Sequence, residues 1–130
     1  MPPIKQKETN LLKQSGVIYR IPCSCGKIYI GETGRELGLR VQEHQKAVRL
    51  CSNRTGLDRH ARDSGHSMDW DNITILAREA HWQKRKLKEN LEIEKSRDRV
   101  LNDYSGYAFN QLWAKFLNPG NGNAVGVSNE

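Results

Sequence analysis

Two short runs of alternating apolar and polar residues, Val17-Ile18-Tyr19-Arg20-Ile21 and Lys27-Ile28-Tyr29-Ile30-Gly31, flank the tight connection Cys23-Ser24-Cys25-Gly26. A two-residue period on both sides of a Pro/Cys/Gly turn predicts a β-hairpin, because successive strand side chains point to opposite faces. In that period Tyr19 shares a face with Ile21, and Tyr29 with Gly31. Two phenols are thereby offered to one surface.

The residues that follow supply the rest of a small domain. Glu32-Thr33-Gly34 makes a turn, and Leu37, Val41, His44 and Val48 then recur at helical spacing to about Leu50. On this helix Arg40 and His44 stack one turn apart. Cys51 to Gly56 breaks it, a short helix from about Leu57 to Asp63 follows, and Ser64-Gly65-His66 ends that one. Alternating Ile73, Ile75 and Ala77 make the run from Trp70 to Ala80 a third strand. From His81 to about Arg99 there are strong helix formers and no breakers, which predicts a long helix. Trp82, Glu89, Ile93 and Val100 fall in one narrow angular band of it, with Leu87 and Leu91 nearly opposite. Glu89 thus sits inside an apolar stripe, where a buried carboxylate is costly unless a cation neutralises it.

A chain of 130 residues is one domain, read here as residues 16–117, between a flexible polar leader at 1–15 and a Gly/Asn-rich disordered tail at 118–130. Tyr107 to Leu117 reads as a final short helix or an extended aromatic segment. A hydrophobic fraction of 36% limits the interior, and a net charge of +6 points to a polyanionic partner, nucleic acid first among them. The charge is uneven: Lys84, Arg85, Lys86 and Lys88 form one block, and Arg49, Arg54, Arg59 and Arg62 another. No stretch approaches the roughly 20 apolar residues that span a bilayer, and the polar start lacks a signal core, so a soluble intracellular protein is expected. Three cysteines, two of them one residue apart, make a poor disulfide framework and suit metal binding or free thiols in a reducing compartment.

Phosphodiester hydrolysis requires a partly deprotonated water, a cation at the scissile phosphate and help for the departing oxygen. Glu89 suits a magnesium or manganese ion completed by waters and phosphate oxygens. The forked donors of Arg40 suit the non-bridging oxygens. Tyr19, held near the metal and a cation, would give up its proton and accept one from water, with Tyr29 and His44 as positioning groups. Each residue alone has a plainer role: packing for the tyrosines and His44, solvation for Arg40, an ion pair with Arg85 or Lys86 for Glu89. The ordered set favours the site. Separately, Cys23 and Cys25 in a tight turn with Gly26, joined by His60 and His66 around Gly65, form a two-thiolate, two-imidazole set for structural zinc. Surface histidines and packed thiols are the alternative. Cys51 is left as a lone thiol and His81 as a helix-start residue. Lys27, Arg35, Arg59, Lys84, Arg85, Lys86 and Asn102 complete the expected DNA contacts.

These residues resemble the GIY-YIG nuclease module. Tyr19 with Val17-Ile18 looks like its first motif, Tyr29-Ile30-Gly31 matches the second, Arg40 to His44 is similar to its first helix, and Lys88 to Ile93 resembles its metal-ligand helix. Val17 stands where the motif has Gly, with Gly16 one step further out. Asn102 looks like the asparagine that closes the module. The resemblance implies an α/β fold, a small three-stranded antiparallel sheet flanked by helices, with Tyr19, Tyr29, Arg40, His44 and Glu89 converging on one surface. Glu92 is an alternative metal carboxylate, but its place on the helix is away from the Trp82/Ile93 stripe, so Glu89 is preferred. Residues 21–35, the paired histidines and Trp113 are specifically similar to the endonuclease domain of Penelope-like retroelements. That implies a nuclear DNA-nicking enzyme, linked in the full element to a reverse transcriptase. A structure-specific repair or recombination nuclease of the same superfamily, and a non-catalytic zinc-dependent module whose tyrosines stack on bases, remain as alternatives.

Overall fold

The structure, a computed structural model, describes residues 10–102; the expected aromatic segment, Trp113 and the tail lie outside them. The hairpin forms as β1 (Ser15–Pro22) and β2 (Ile28–Glu36), antiparallel, with Tyr19 opposite Gly31 and Ile21 opposite Tyr29. One face of the sheet therefore carries Tyr19, Ile21, Tyr29 and Gly31 together. On the other edge of β1 lies the antiparallel β3 (Thr74–Arg78), giving the order β2-β1-β3. This strand is shorter than the alternating run suggested, because Trp70–Asn72 winds into a single 3-10 turn.

Strand β1 is paired along both edges and packed on both faces: Val17, Ile18 and Tyr19 are all fully buried. Val17 belongs to the same apolar cluster as Tyr19. Helices α1 (Leu37–Arg49) and α2 (Gly56–Ser64) cover the tyrosine face, contributing Leu37, Val41 and Leu57 to that cluster. Helix α3 (Trp82–Lys95) covers the other, seating Ile93 on Ile18, Ile28 and Ile30. The sheet with its flanking helices is the architecture expected. Part of the expected leader joins it: Leu11 and Leu12 pack against the first cluster, and the Leu37 N–H donates to the Gln14 carbonyl at 2.8 Å.

Helix α3 stops at Lys95 rather than Arg99, and the reason is the open edge of β2. Unpaired edge groups need partners. The Ile28 N–H donates to the Arg99 carbonyl at 3.0 Å, and the Leu101 N–H to the Ile28 carbonyl at 2.7 Å. The Asn102 side chain then accepts from the Ile30 N–H at 3.0 Å and donates to its carbonyl at 2.5 Å. Val100 is consequently in a bridge with Ile28 and not on the helix. Nor does Trp82 join the buried stripe, being 57% exposed in the first turn, whereas Leu87 and Ile93 are buried.

Candidate active site and metal centre

His44 is the hub of the tyrosine face. Its ring stands edge-on to Tyr19 and Tyr29, with centroids 5.9 and 5.1 Å away. Its Nε2 is 2.8 Å from the Tyr19 hydroxyl. Strand and helix put it there: Tyr19 and Tyr29 share a face through the hairpin register, and His44 lies one turn from Val41 on the buried side of α1. Gly31 is required at the point where the Tyr19 ring crosses β2, since a Cβ there would collide with that ring.

Burial dominates the titration of this cluster. It pushes the Tyr19 phenol well above its usual range, Tyr29 adding to the effect and Arg40 opposing it. It also holds the His44 imidazole down at about 4, with Arg40 acting in the same direction. At neutral pH both groups are therefore uncharged. Burial thus works against the proton loss expected of Tyr19, and Arg40 works for it.

Arg40 stands four residues before His44, and its guanidinium is 3.1 Å from Glu43, which Arg35 also grips through both carboxylate oxygens at 2.8 Å. Two arginines thus share one carboxylate, and Glu43 titrates below its usual range, chiefly because of Arg35.

Glu89 approaches from the other layer, one turn before Ile93 on α3. Its carboxyl is pushed upward mainly by burial, against the pull of Lys86. Its charge also acts on Tyr19, and that of Arg40 on Glu89, so the two layers meet electrostatically. Lys86 Nζ is 3.5 Å from both Glu89 and Glu32, a loose arrangement. Glu32 is committed elsewhere, at 2.6 Å from Arg85 Nε. Glu92 is committed too, 3.2 Å from Lys95. A largely desolvated Glu89 whose nearest cation is the loosely placed Lys86 could hold a divalent cation.

Cys23, Cys25, His60 and His66 come together, each offering a ligand atom within 4.8 Å of the others. His60 Nε2 is 3.4 Å from Cys25 Sγ and 3.1 Å from His66 Nδ1. A zinc tetrahedron with Zn–N of about 2.0 Å and Zn–S of about 2.3 Å has edges of roughly 3.3–3.8 Å; both of these contacts are close to that, and the set could hold zinc. Local structure prepares it. The Gly26 N–H closes the turn on the Cys23 carbonyl at 3.0 Å with Gly26 at φ 94, and Gly65 at φ 73 ends α2 between the histidines. The Cys25 thiol is pulled below its usual range, first by the Lys27 backbone N–H.

The expected DNA contacts divide. Lys27 and Lys84 are exposed, Arg59 is half-buried on α2, and Arg35 and Lys86 are ion-paired. Arg85 is not available to DNA: it is 7% exposed, bonded to Glu32 and to the Glu79 and Ala80 carbonyls, with its guanidinium beside Gly34. Asn102 spends its amide on Ile30, as described above. His81 caps α3, its Nδ1 accepting from the Lys84 N–H at 3.4 Å. Sequence reasoning missed the Glu32–Arg85 pair, which no local spacing signals. It also missed the Thr55–Asp58 capping box at the start of α2, which the Thr-x-x-Asp spacing does signal.

A family model, the GIY-YIG catalytic domain, matches residues 15–92, more than half of the 130-residue chain. No curated protein and no solved structure matches it.

Proposed function

From the premise that the chain belongs to the GIY-YIG family, whose domains are generally endonucleases, we propose that it is a divalent-metal-dependent DNA endonuclease that nicks chromosomal target DNA for a retroelement. The observation that carries this reading is His44 wedged between two phenols beside Arg40, with Glu89 electrostatically coupled to Tyr19 and Arg40.

Glu89 would hold the catalytic magnesium or manganese ion, which supplies charge at the scissile phosphate and the departing oxygen. Arg40 braces the non-bridging oxygens, its guanidinium aimed by Glu43. Tyr29 and His44 fix the Tyr19 ring. Tyr19 enters neutral and orients the attacking water; as it takes the water's proton, its own passes to His44 Nε2, 2.8 Å from the hydroxyl. Burial and the charge of Arg40 both oppose a protonated His44 at rest, so the transfer would need the negative charge of the bound phosphate beside Arg40. Zinc on Cys23, Cys25, His60 and His66 would have a structural role, tying the hairpin turn to α2.

The retroelement assignment rests on the similarity of residues 21–35 to Penelope-like endonuclease domains and on the Cys/His set. It carries with it a nuclear site of action and a reverse transcriptase linked in the full element.

The test is nicking of supercoiled plasmid in magnesium or manganese. The wild-type chain should nick, and Glu89→Ala should bind DNA without cutting. Binding with no cleavage by the wild-type chain makes the protein a non-catalytic module. Cleavage confined to branched or flapped duplexes makes it a structure-specific nuclease.

A further inference from the structure

A cavity of about 520 Å³ opens between α1 and α2, with Arg40 and His44 in its wall together with Lys46, Ser52, Arg54 and Thr55. None of the last four belongs to the catalytic set. From this cavity, and resting on the nuclease reading above, we infer that it seats the DNA strand flanking the scissile phosphate, with Lys46 and Arg54 gripping phosphates beyond the one that Arg40 holds.

The charge distribution carries the inference. Arg35, Arg40, Arg62, Arg85, Lys86 and Lys88 are each matched to a carboxylate. Lys46 and Arg54, both exposed, have no carboxylate partner among the described residues. Two unmatched cations on the rim of a cavity that also contains Arg40 are a ready phosphate track. The acidic groups in the wall do not cancel them. Glu43 is shared by Arg35 and Arg40. Asp58 is buried, and its Oδ2 accepts from the Arg54 and Thr55 N–H groups at 3.3 Å, so its charge is turned into the start of α2.

The spacing also suits a strand. From Arg40 to Lys46 the helix rises about 9 Å, at about 1.5 Å per residue. Lys46 is thus far enough from Arg40 to meet a neighbouring phosphate of the same strand rather than the same one. The second wall of the track is α2, which carries His60 of the zinc set, so the metal cluster would also fix the width of the DNA seat.

The test is the salt dependence of binding to a short fluorescent duplex, in a Glu89→Gln background that does not cut. Each phosphate contact contributes about 0.9 to the slope of log K against log salt. Lys46→Ala with Arg54→Ala should lower the slope by about 1.8, so that the affinity lost between 50 and 200 mM salt shrinks by about tenfold. Lys95→Ala with Arg97→Ala removes equal charge from the far end of α3 and should change the slope by less than half as much. An unchanged slope in the first pair, or an equal change in both pairs, overturns the inference while leaving the nuclease reading intact. Failure of the wild-type chain to bind or nick DNA overturns that reading instead.

Discussion

Acid should destabilise this domain through His44 more than through any surface group. The imidazole is 1% exposed and held between two aromatic rings, and burial depresses it from 6.5 to about 4. In the unfolded chain His44 takes up a proton near its ordinary value, whereas in the fold it resists until about 4. The stability it contributes is therefore complete above about pH 6.5 and is lost as pH falls toward 4. That fall, at about 1.4 kcal/mol per pH unit, is worth about 3 kcal/mol, a large share of the roughly 5–15 kcal/mol typical of a domain. Arg40 deepens the depression, while Asp58 and Glu43 oppose it. Glu89 has the opposite sign, since a carboxyl raised by burial favours the fold as it protonates. A comparison with His44→Gln cancels Glu89 and the zinc ligands, because both proteins carry them. Urea unfolding followed by tryptophan fluorescence should show the penalty of His44→Gln shrinking by about 3 kcal/mol between neutral pH and pH 4. A penalty that stays constant across that range would refute the claim that His44 is held neutral.

Three further outcomes follow from particular contacts. Gly31→Ala places a methyl against the Tyr19 ring and should cost about 1–3 kcal/mol in thermal unfolding, with loss of plasmid nicking. Arg85→Met leaves the largely buried Glu32 with only the looser Lys86 contact at 3.5 Å and should cost about 3 kcal/mol, most of it recovered on adding Glu32→Leu; denaturant melts of the single and double variants check this. Purified protein should carry zinc in a one-to-one ratio by elemental analysis, and Cys25→Ser or His66→Ala should abolish it and lower the melting temperature by more than about 5 °C.

The hairpin, its tyrosine face and helix α1 were legible because a strand repeats every two residues and a helix every 3.6, so local spacing alone assigns each side chain a face. The Cys/His set was legible from ligand chemistry and two turn glycines. The end of α3 was not. Residues 96–99 contain no helix breaker, yet the unpaired edge of β2 draws the chain into a bridge at Val100. Arg85 was misread for the same reason, since in a run of three basic residues nothing local marks the one whose guanidinium faces Gly34 and Glu32.

The order of residues thus determined which side chains share a face and which donor atoms the Cys/His set offers, since both follow from short-range geometry and residue type. Tertiary structure alone decided which charges are left for a ligand and which protons are held. Burial and ion pairing depend on what packs from distant segments: Glu32 neutralises Arg85 across 53 residues, and Tyr19 meets His44 across 25.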